Sequence, residues 1–346
     1  MKKLLSVVML VCIVMSMCTV SAWATGTPTA TVVGGASFTS LADALNAAPT
    51  GSTIELTAGT YTMASVSYKT LTIKAAGNVD RTNVVIDIVG NPAFHGCALS
   101  FYGVTLRSQN ANYNGMQHLS ALTAKNCLIE NEFWSYANTA TFTECIFNQN
   151  GAGSNYNFRT YGSASVTFNA CGFTSQGRCV LVYSENGTNT VATFNGCSLE
   201  ATQMASGKAA IEIDSTFPNT NKNEHSFTVN INNTQAIGFD AGSFCGNSLW
   251  NDKVVDGRGQ GQRVTVKIND NPVYINGVFT TTPVEPTPGV NPNPNNPAPV
   301  TPAAPVVEDI YYIPATDDNS NMALWSILAL ALLSTAFVTR KRKNEN

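Results

Sequence analysis

A repeat in the middle of the chain limits its possible folds more than any other feature. Five stretches share one pattern: Phe101, Val104 and Leu106; Ala124, Cys127 and Ile129; Phe142, Cys145 and Phe147; Phe168, Cys171 and Phe173; Phe194, Cys197 and Leu199. Their starts are 23, 18, 26 and 26 residues apart, and weaker copies follow at Ile231–Thr234 and Ile268–Asn271, each 37 residues on. Self-similarity at such a period means stacked supersecondary units. The Leu-x-x-Leu-x-Leu consensus of leucine-rich repeats is absent. Short β-branched and aromatic runs such as Ala140–Phe142, Val180–Val182 and Val191–Phe194 alternate with Asn/Gly/Ser turns, so each unit reads as coiled strands. In-register rungs stack about 4.8 Å apart, and parallel crossovers wind right-handed.

Composition agrees with an all-β fold and excludes several function classes. Charged residues make up 12% of the chain and hydrophobic ones 44%, with 37 Asn and 39 Thr by count. The charged helix formers of long helices are missing, while the apolar content is enough for a large core. Formal net charge is -3, and no basic cluster occurs outside the termini, which argues against a nucleic-acid partner.

The segment before the repeat predicts a short helix over Ser37–Ala48, with Phe38, Leu41, Ala44, Leu45 and Ala48 on one face and Thr39 or Ser40 as N-cap. Strands follow at Thr53–Leu56, around Gly59-Thr60-Tyr61, at Leu71–Ile73 and at Val84–Ile88. A helix, then a strand, then a Gly-Thr-Tyr turn resembles the start of right-handed parallel β-helix proteins of the pectin-lyase-like class, over roughly residues 30–280. The resemblance implies that the helix covers one end of the stack. About ten rungs would give a rod near 50 Å long.

The two ends give an address. Residues 1–24 read as a signal peptide: Lys2 and Lys3, an apolar run to Val20, and a small-x-small site ending at Ala24. Residues 25–280 are the expected β-helix domain. Residues 281–306 hold nine of the chain's fifteen prolines, the composition of an extended polyproline II stalk. Residues 307–346 carry Ile313, Pro314, Ala315 and Thr316, then an uncharged run over 322–338, then a basic tail Arg340–Lys343. Seventeen residues rise about 26 Å as a helix, enough to span a bilayer, and the tail suits the cytoplasmic side. This order resembles the sorting signal of Gram-positive surface proteins that sortases join to peptidoglycan. In the family pentapeptide, Leu-Pro-X-Thr-Gly, Asp317 stands here in place of Gly. Either membrane retention or wall attachment places the protein outside the cell, on the surface.

Cys12 and Cys18 leave with the signal peptide, and an odd number, seven, remains. Cys127, Cys145, Cys171 and Cys197 share one rung position and are expected to form an inward ladder beneath Val104. Neighbouring rungs hold Cβ atoms wider apart than a disulfide prefers, so free buried thiols are expected. Cys179 and Cys245 fall off the ladder, where exposure is open to them. With no CxxC or HxxxH spacing and three histidines, no metal site is expected, nor any cofactor.

Enzymes of the resembled class use carboxylates with Ca²⁺ and a base, or paired acids on a glycosidic bond. Of the hydrolase signatures only His95-Gly96 occurs, and no Asp-Asp precedes residue 317. Glu130 and Glu132 are the closest sequence pair of acids. An outward column of Arg107, Glu130 and Asn148, with Glu200 three rungs beyond Arg107, reads as a charge-balanced face. No catalytic residue is assigned. Aromatics in the variable stretches carry the better signal: Tyr113, Phe133, Trp134, Tyr136, Tyr156, Phe158 and Tyr161, near Asn112, Asn138, Asn155 and Arg159. Flat rings beside amides suit a sugar-binding or protein-docking face. Trp134, Tyr136, Tyr156, Arg159 and Tyr161 are the candidate ligand-binding residues. The leading expectation is a surface-displayed adhesin or glycan-binding module. The expected partner is a glycan or a protein on a host or neighbouring cell. An anchored polysaccharide lyase or hydrolase, and a passive wall spacer, are the alternatives.

Overall fold

The fold is that of a computed structural model describing residues 27–109, 114–149, 156–183, 189–205, 207–214, 226–240, 247–252 and 263–280. The leader 1–24, Tyr113, Asn112, Asn155, Cys245, the Pro-rich segment, Ile313–Thr316 and the apolar run 322–338 lie outside the described residues. Among the described residues no helix is long and apolar enough to cross a membrane.

The described chain is built mostly of parallel strands arranged in three ladders. The first ladder contains Thr53–Leu56, Thr70–Ala75, Ala98–Tyr102, the later halves of Asn114–Lys125 and Phe133–Thr143, then Ser165–Asn169, Thr190–Asn195, Phe227–Asn232 and Val264–Ile268, each paired parallel to the next. The second ladder runs from Gly59–Thr62 through Val84–Ile88, Thr105–Ser108, Leu128–Glu130, Ile146–Asn148, Gly172–Ser175 and Ser198–Ala205 to Gln235–Phe239. The third holds the earlier halves of Asn114–Lys125 and Phe133–Thr143, then Phe158–Arg159, Val180–Tyr183, Ile211–Asp214 and Trp250–Asp252. From Asn114 onward each circuit adds a strand to the third, the first and the second ladder in turn.

Strict alternation along these strands sends every second side chain inward. Phe142, Phe168 and Phe194 stand in register in the first ladder, and Phe147 and Phe173 in the second. Rings within a column stack: Phe147 and Phe173 lie 4.4 Å apart at 8°, Phe168 and Phe194 5.0 Å apart at 22°. Rings of opposite columns meet edge to face, as Phe168 and Phe173 do at 77°. Both arrangements suit the phenyl quadrupole, and together they fill one continuous core.

The turn between the first and second ladders explains the repeat. The residue before each cysteine has a left-handed backbone: Asn126, Glu144, Ala170 and Gly196, with φ of 52°, 55°, 50° and 61°. Gly103 precedes Val104 in the same conformation, at φ 60°. That reversal swings the next side chain inward, so Cys127, Cys145, Cys171 and Cys197 are all buried and unbridged. Each thiol donates to a carbonyl one circuit back, on Phe101, Ala124, Phe142 and Phe168 respectively, at 3.4–3.5 Å. Thr234 follows Cys197 in the column and accepts from its backbone N–H at 3.1 Å.

Several expectations need correction. Cys179 is fully buried rather than exposed, and burial pushes its thiol pKa up, the setting of an inert cysteine. The helix is Leu41–Ala47, capped by Ser40, and Ser37–Phe38 is instead a strand. That strand pairs antiparallel with Ala30–Val32, which in turn pairs antiparallel with Thr53–Leu56. Lys69 closes the helix C-terminus, its Nζ donating to the carbonyls of Leu45, Asn46 and Ala48 at 2.8, 2.7 and 2.9 Å. The copy at Ile268–Asn271 places Ile268 in register with Ile231 in the first ladder but does not go on to the second. Asn269 and Asp270 both have positive φ, 47° and 64°, the geometry of a tight hairpin. Asn271–Ile275 therefore returns antiparallel against Val264–Ile268, and Val278–Phe279 against it. Glu200 stands four strands beyond Arg107, since Thr174 intervenes after Asn148.

Candidate functional site

The candidate aromatics divide into three environments, set by the alternation of the third ladder. Phe133 and Phe158 pair in register, point inward and are fully buried. Trp134 and Arg159 form the next pair and point outward. Trp134 is nonetheless only 3% exposed. It covers Gly115, where an added Cβ would fall 2.2 Å from the indole, so glycine there is what admits the ring. Its other neighbour is Tyr161, 4.6 Å away between ring centroids, and Tyr161 in turn lies 5.9 Å from Tyr183.

Tyr156 and Arg159 belong to a buried polar network. Arg159 pairs with Glu132. Its guanidinium carbon sits 5.0 Å over the Tyr156 ring. The Tyr156 hydroxyl donates to Glu212 Oε1 at 2.5 Å, and Arg178 Nε meets Glu212 Oε2 at 2.6 Å. Glu132 and Glu212 are each 1% exposed. Burial, reinforced by the Glu212 carboxylate, pushes the Tyr156 phenol well above its ordinary pKa and keeps it a donor. Both carboxylates are buried and each is paired with a guanidinium, so neither presents an open side to a substrate. In the second ladder Arg107 is likewise engaged, as a bidentate partner of Asp87 at 2.7 and 3.2 Å rather than of Glu130.

The exposed part of the surface involves residues that sequence reasoning missed. Tyr136 is half-buried, and it stands beside His118 at 5.2 Å, which stacks on His95 at 4.5 Å and 12°. Both histidines are exposed. Register explains the row. Ala98, Ala121 and Thr139 pair in sequence across the first ladder, and His95, His118 and Tyr136 each lie three residues earlier (98−95, 121−118 and 139−136). Gly162 takes the same place before Ser165, and a Cβ there would meet the Tyr136 ring at 3.6 Å. The signal was therefore present: stepping back three residues from each first-ladder strand finds the row. Next to it Tyr68, 80% exposed, lies over Gly96.

Because the two imidazoles stack face to face, their edges carry the nitrogens to solvent. Neither imidazole hydrogen-bonds to any described residue. His118 and Tyr136 line an open pocket of about 240 Å³ with Gly96, Leu119, Ser120 and Asn138. The His118 imidazole, a phenol, an amide and a hydroxyl thus line one open pocket, with His95 stacked beside it. Among the described residues no group of three or more His, Cys, Asp or Glu is placed to hold a metal ion. No family model, curated protein or solved structure matches the chain.

Proposed function

We propose that the chain is a right-handed parallel β-helix displayed on a cell surface, where it binds a glycan through the row His95, His118 and Tyr136 without chemical turnover. The observation that carries the binding reading is that row, in which His118 and Tyr136 line the pocket of Ser120 and Asn138 and His95 stacks on His118. A sugar presents closely spaced hydroxyls that both donate and accept, and imidazole, phenol and amide groups answer both needs. Tyr136 and the exposed Tyr68 add apolar ring surface beside them.

The β-helix reading is supported by the cycling of the chain through three parallel ladders, and its hand by the general rule for parallel crossovers. Surface display rests on the leader, the proline-rich stalk, Ile313–Thr316 and the apolar run before the basic tail. Membrane retention or peptidoglycan attachment would serve equally. The absence of turnover is supported by the burial and ion pairing of Glu132 and Glu212.

A glycan array with the full-length protein tests the reading, run beside a lyase assay on uronate polymers. Binding that falls at least tenfold, about 1.4 kcal/mol, in Tyr136→Ala and His118→Asn is the expected result. Equal binding by wild type and both variants would remove the row from the function, and unsaturated product would overturn the non-catalytic reading.

A further inference from the structure

Asparagine followed by glycine is the dipeptide most open to backbone attack on a side-chain amide, because no Cβ shields the glycine nitrogen. Five such pairs occur in the chain, at Asn114, Asn150, Asn186, Asn195 and Asn276, and those at Asn114, Asn195 and Asn276 lie among the described residues. The fold treats these three differently. Asn114 is buried, its Nδ2 donating to the Ile88 carbonyl at 3.0 Å, and the Gly115 N–H donates to Asn91 Oδ1 at 3.2 Å beneath the Trp134 ring. Asn195 belongs to a ladder of amides, donating to Asn169 Oδ1 at 2.9 Å and accepting from Asn232 Nδ2 at 3.0 Å. The Gly196 N–H donates to the Asn232 carbonyl at 2.8 Å. Asn276 and Gly277, by contrast, are both exposed. They form the two-residue turn between Ile275 and Val278, with φ of 48° and 89°, the form that Asn-Gly favours in hairpins. A Cβ on Gly277 would have nothing within 4 Å, and neither the Asn276 side chain nor the Gly277 N–H is hydrogen-bonded to a described residue.

From this contrast we propose that Asn276 is a site of spontaneous deamidation, selected by the fold over the other two. The Gly277 nitrogen, deprotonated by solvent hydroxide, attacks Asn276 Cγ. The new N–Cγ bond forms, the Cγ–Nδ2 bond breaks, and ammonia leaves with a proton taken from water. The cyclic succinimide that results is opened by water at either carbonyl. Breaking the N–Cγ bond leaves aspartate at 276. Breaking the bond from nitrogen to the main-chain carbonyl leaves isoaspartate, with the chain routed through Cβ and Cγ. Water is the only co-reactant, and nothing is oxidised. Ring closure needs the turn to swing out of its hairpin geometry, in which the Asn276 N–H donates to the Val264 carbonyl at 2.8 Å. The strand that resists this is Val278–Phe279, two exposed residues at the border of the first ladder, and short exposed elements open at least cost. At Asn114 and Asn195 the same swing requires paired rungs to part. Isoaspartate lengthens the backbone of the two-residue turn, so Val278 and Phe279 lose their register and Phe279 is drawn off Tyr274, whose ring centroid lies 5.1 Å away.

Peptide mapping by mass spectrometry tests it, on full-length protein aged in mildly alkaline buffer with and without urea. In the folded protein Asn276 is expected to convert at least about tenfold faster than Asn114 or Asn195, with isoaspartate among the products. In urea the three rates are expected to converge, because the selection belongs to the fold. Gly277→Ala is expected to slow conversion at 276 by about tenfold or more, since its methyl group shields the attacking nitrogen. Alanine at a φ of 89° strains the turn, so this variant is compared with wild type in urea, where a loosened hairpin makes no difference. Equal rates at the three sites in the folded protein would overturn the proposal. So would an Asn276 that stays intact in the fold while the chain in urea reacts, or a Gly277→Ala rate in urea equal to that of wild type.

Discussion

The first and third ladders use the same backbone alternation yet treat their outward side chains in opposite ways. In the first, the outward column reads Thr53, Thr72, Ser100, Thr123, Thr141, Thr167 and Thr193 before Asn230 and Lys267. These side chains are half-exposed, and the β-branched threonines among them suit a pleated surface without needing any particular neighbour. In the third, the outward column reads Gly115, Trp134, Arg159, Leu181, Glu212 and Asn251, and these positions are buried or nearly so. Charge there is tolerable only because Glu132 meets Arg159 and Glu212 meets both Arg178 and Tyr156. Ladder position alone therefore does not tell a core residue from a surface one. What lies outside the ladder decides how sensitive its outward residues are.

The contrast can be broken most forcefully at Glu212. Glu212→Ala leaves the Arg178 guanidinium and the Tyr156 hydroxyl without their shared partner, and a loss of about 3–5 kcal/mol in urea unfolding is expected. A loss below about 1 kcal/mol, the scale of exposed pairs, would place the third ladder's charges in the same class as a surface. Gly115→Ala should cost about 1–3 kcal/mol by overpacking, since the new methyl meets the Trp134 indole and backbone. An unchanged urea midpoint would mean that Trp134 is not fixed over that glycine. In the turn that leaves the first ladder the sign reverses. Ala170→Gly relieves a left-handed alanine at φ 50° and should gain about 1 kcal/mol, a rise in midpoint at constant slope. A fall would show that the turn favours a side chain for packing. The smallest effect belongs to the hydroxyl column, where Thr167→Val is expected to move stability by no more than about 0.5 kcal/mol. A larger change would mean that the first ladder's face is covered after all.

The same contrast explains what was legible in the sequence. The turn between the first and second ladders has fixed length, so Cys127, Cys145, Cys171 and Cys197 align by eye and their common burial follows from a common backbone. The third ladder is reached through connections of varying length, from Ser175 to Val180 in one circuit and from Phe239 to Trp250 in another, and no fixed offset joins Glu132 to Arg159 or Tyr156 to Glu212. Those pairs are 27 and 56 residues apart, and the register that unites them is a property of the stack. Tyr136 was legible as an aromatic in a variable stretch. His95 stood out only within the His95-Gly96 pair and His118 not at all, and only their shared distance from Ala98 and Ala121 puts them together. Trp134 and Tyr156 have the residue type of a binding surface, but their surroundings are a packed interior.

The two antiparallel borders of the first ladder bear on how long such a molecule can become. A column of identical parallel rungs is a template: its last strand offers unpaired amides and carbonyls to any chain of matching pattern, which is how cross-β fibrils extend. Ala30–Val32 on one side and the Asn269-Asp270 hairpin on the other reverse the strand direction at each border of this ladder. Beyond the hairpin the outermost strand is Val278–Phe279, two residues long and following a strand that contains Pro272. A newcomer finds there an edge only two residues long, as it does at Ser37–Phe38 on the other border, too short a template to extend, so in this ladder growth is confined to one polypeptide.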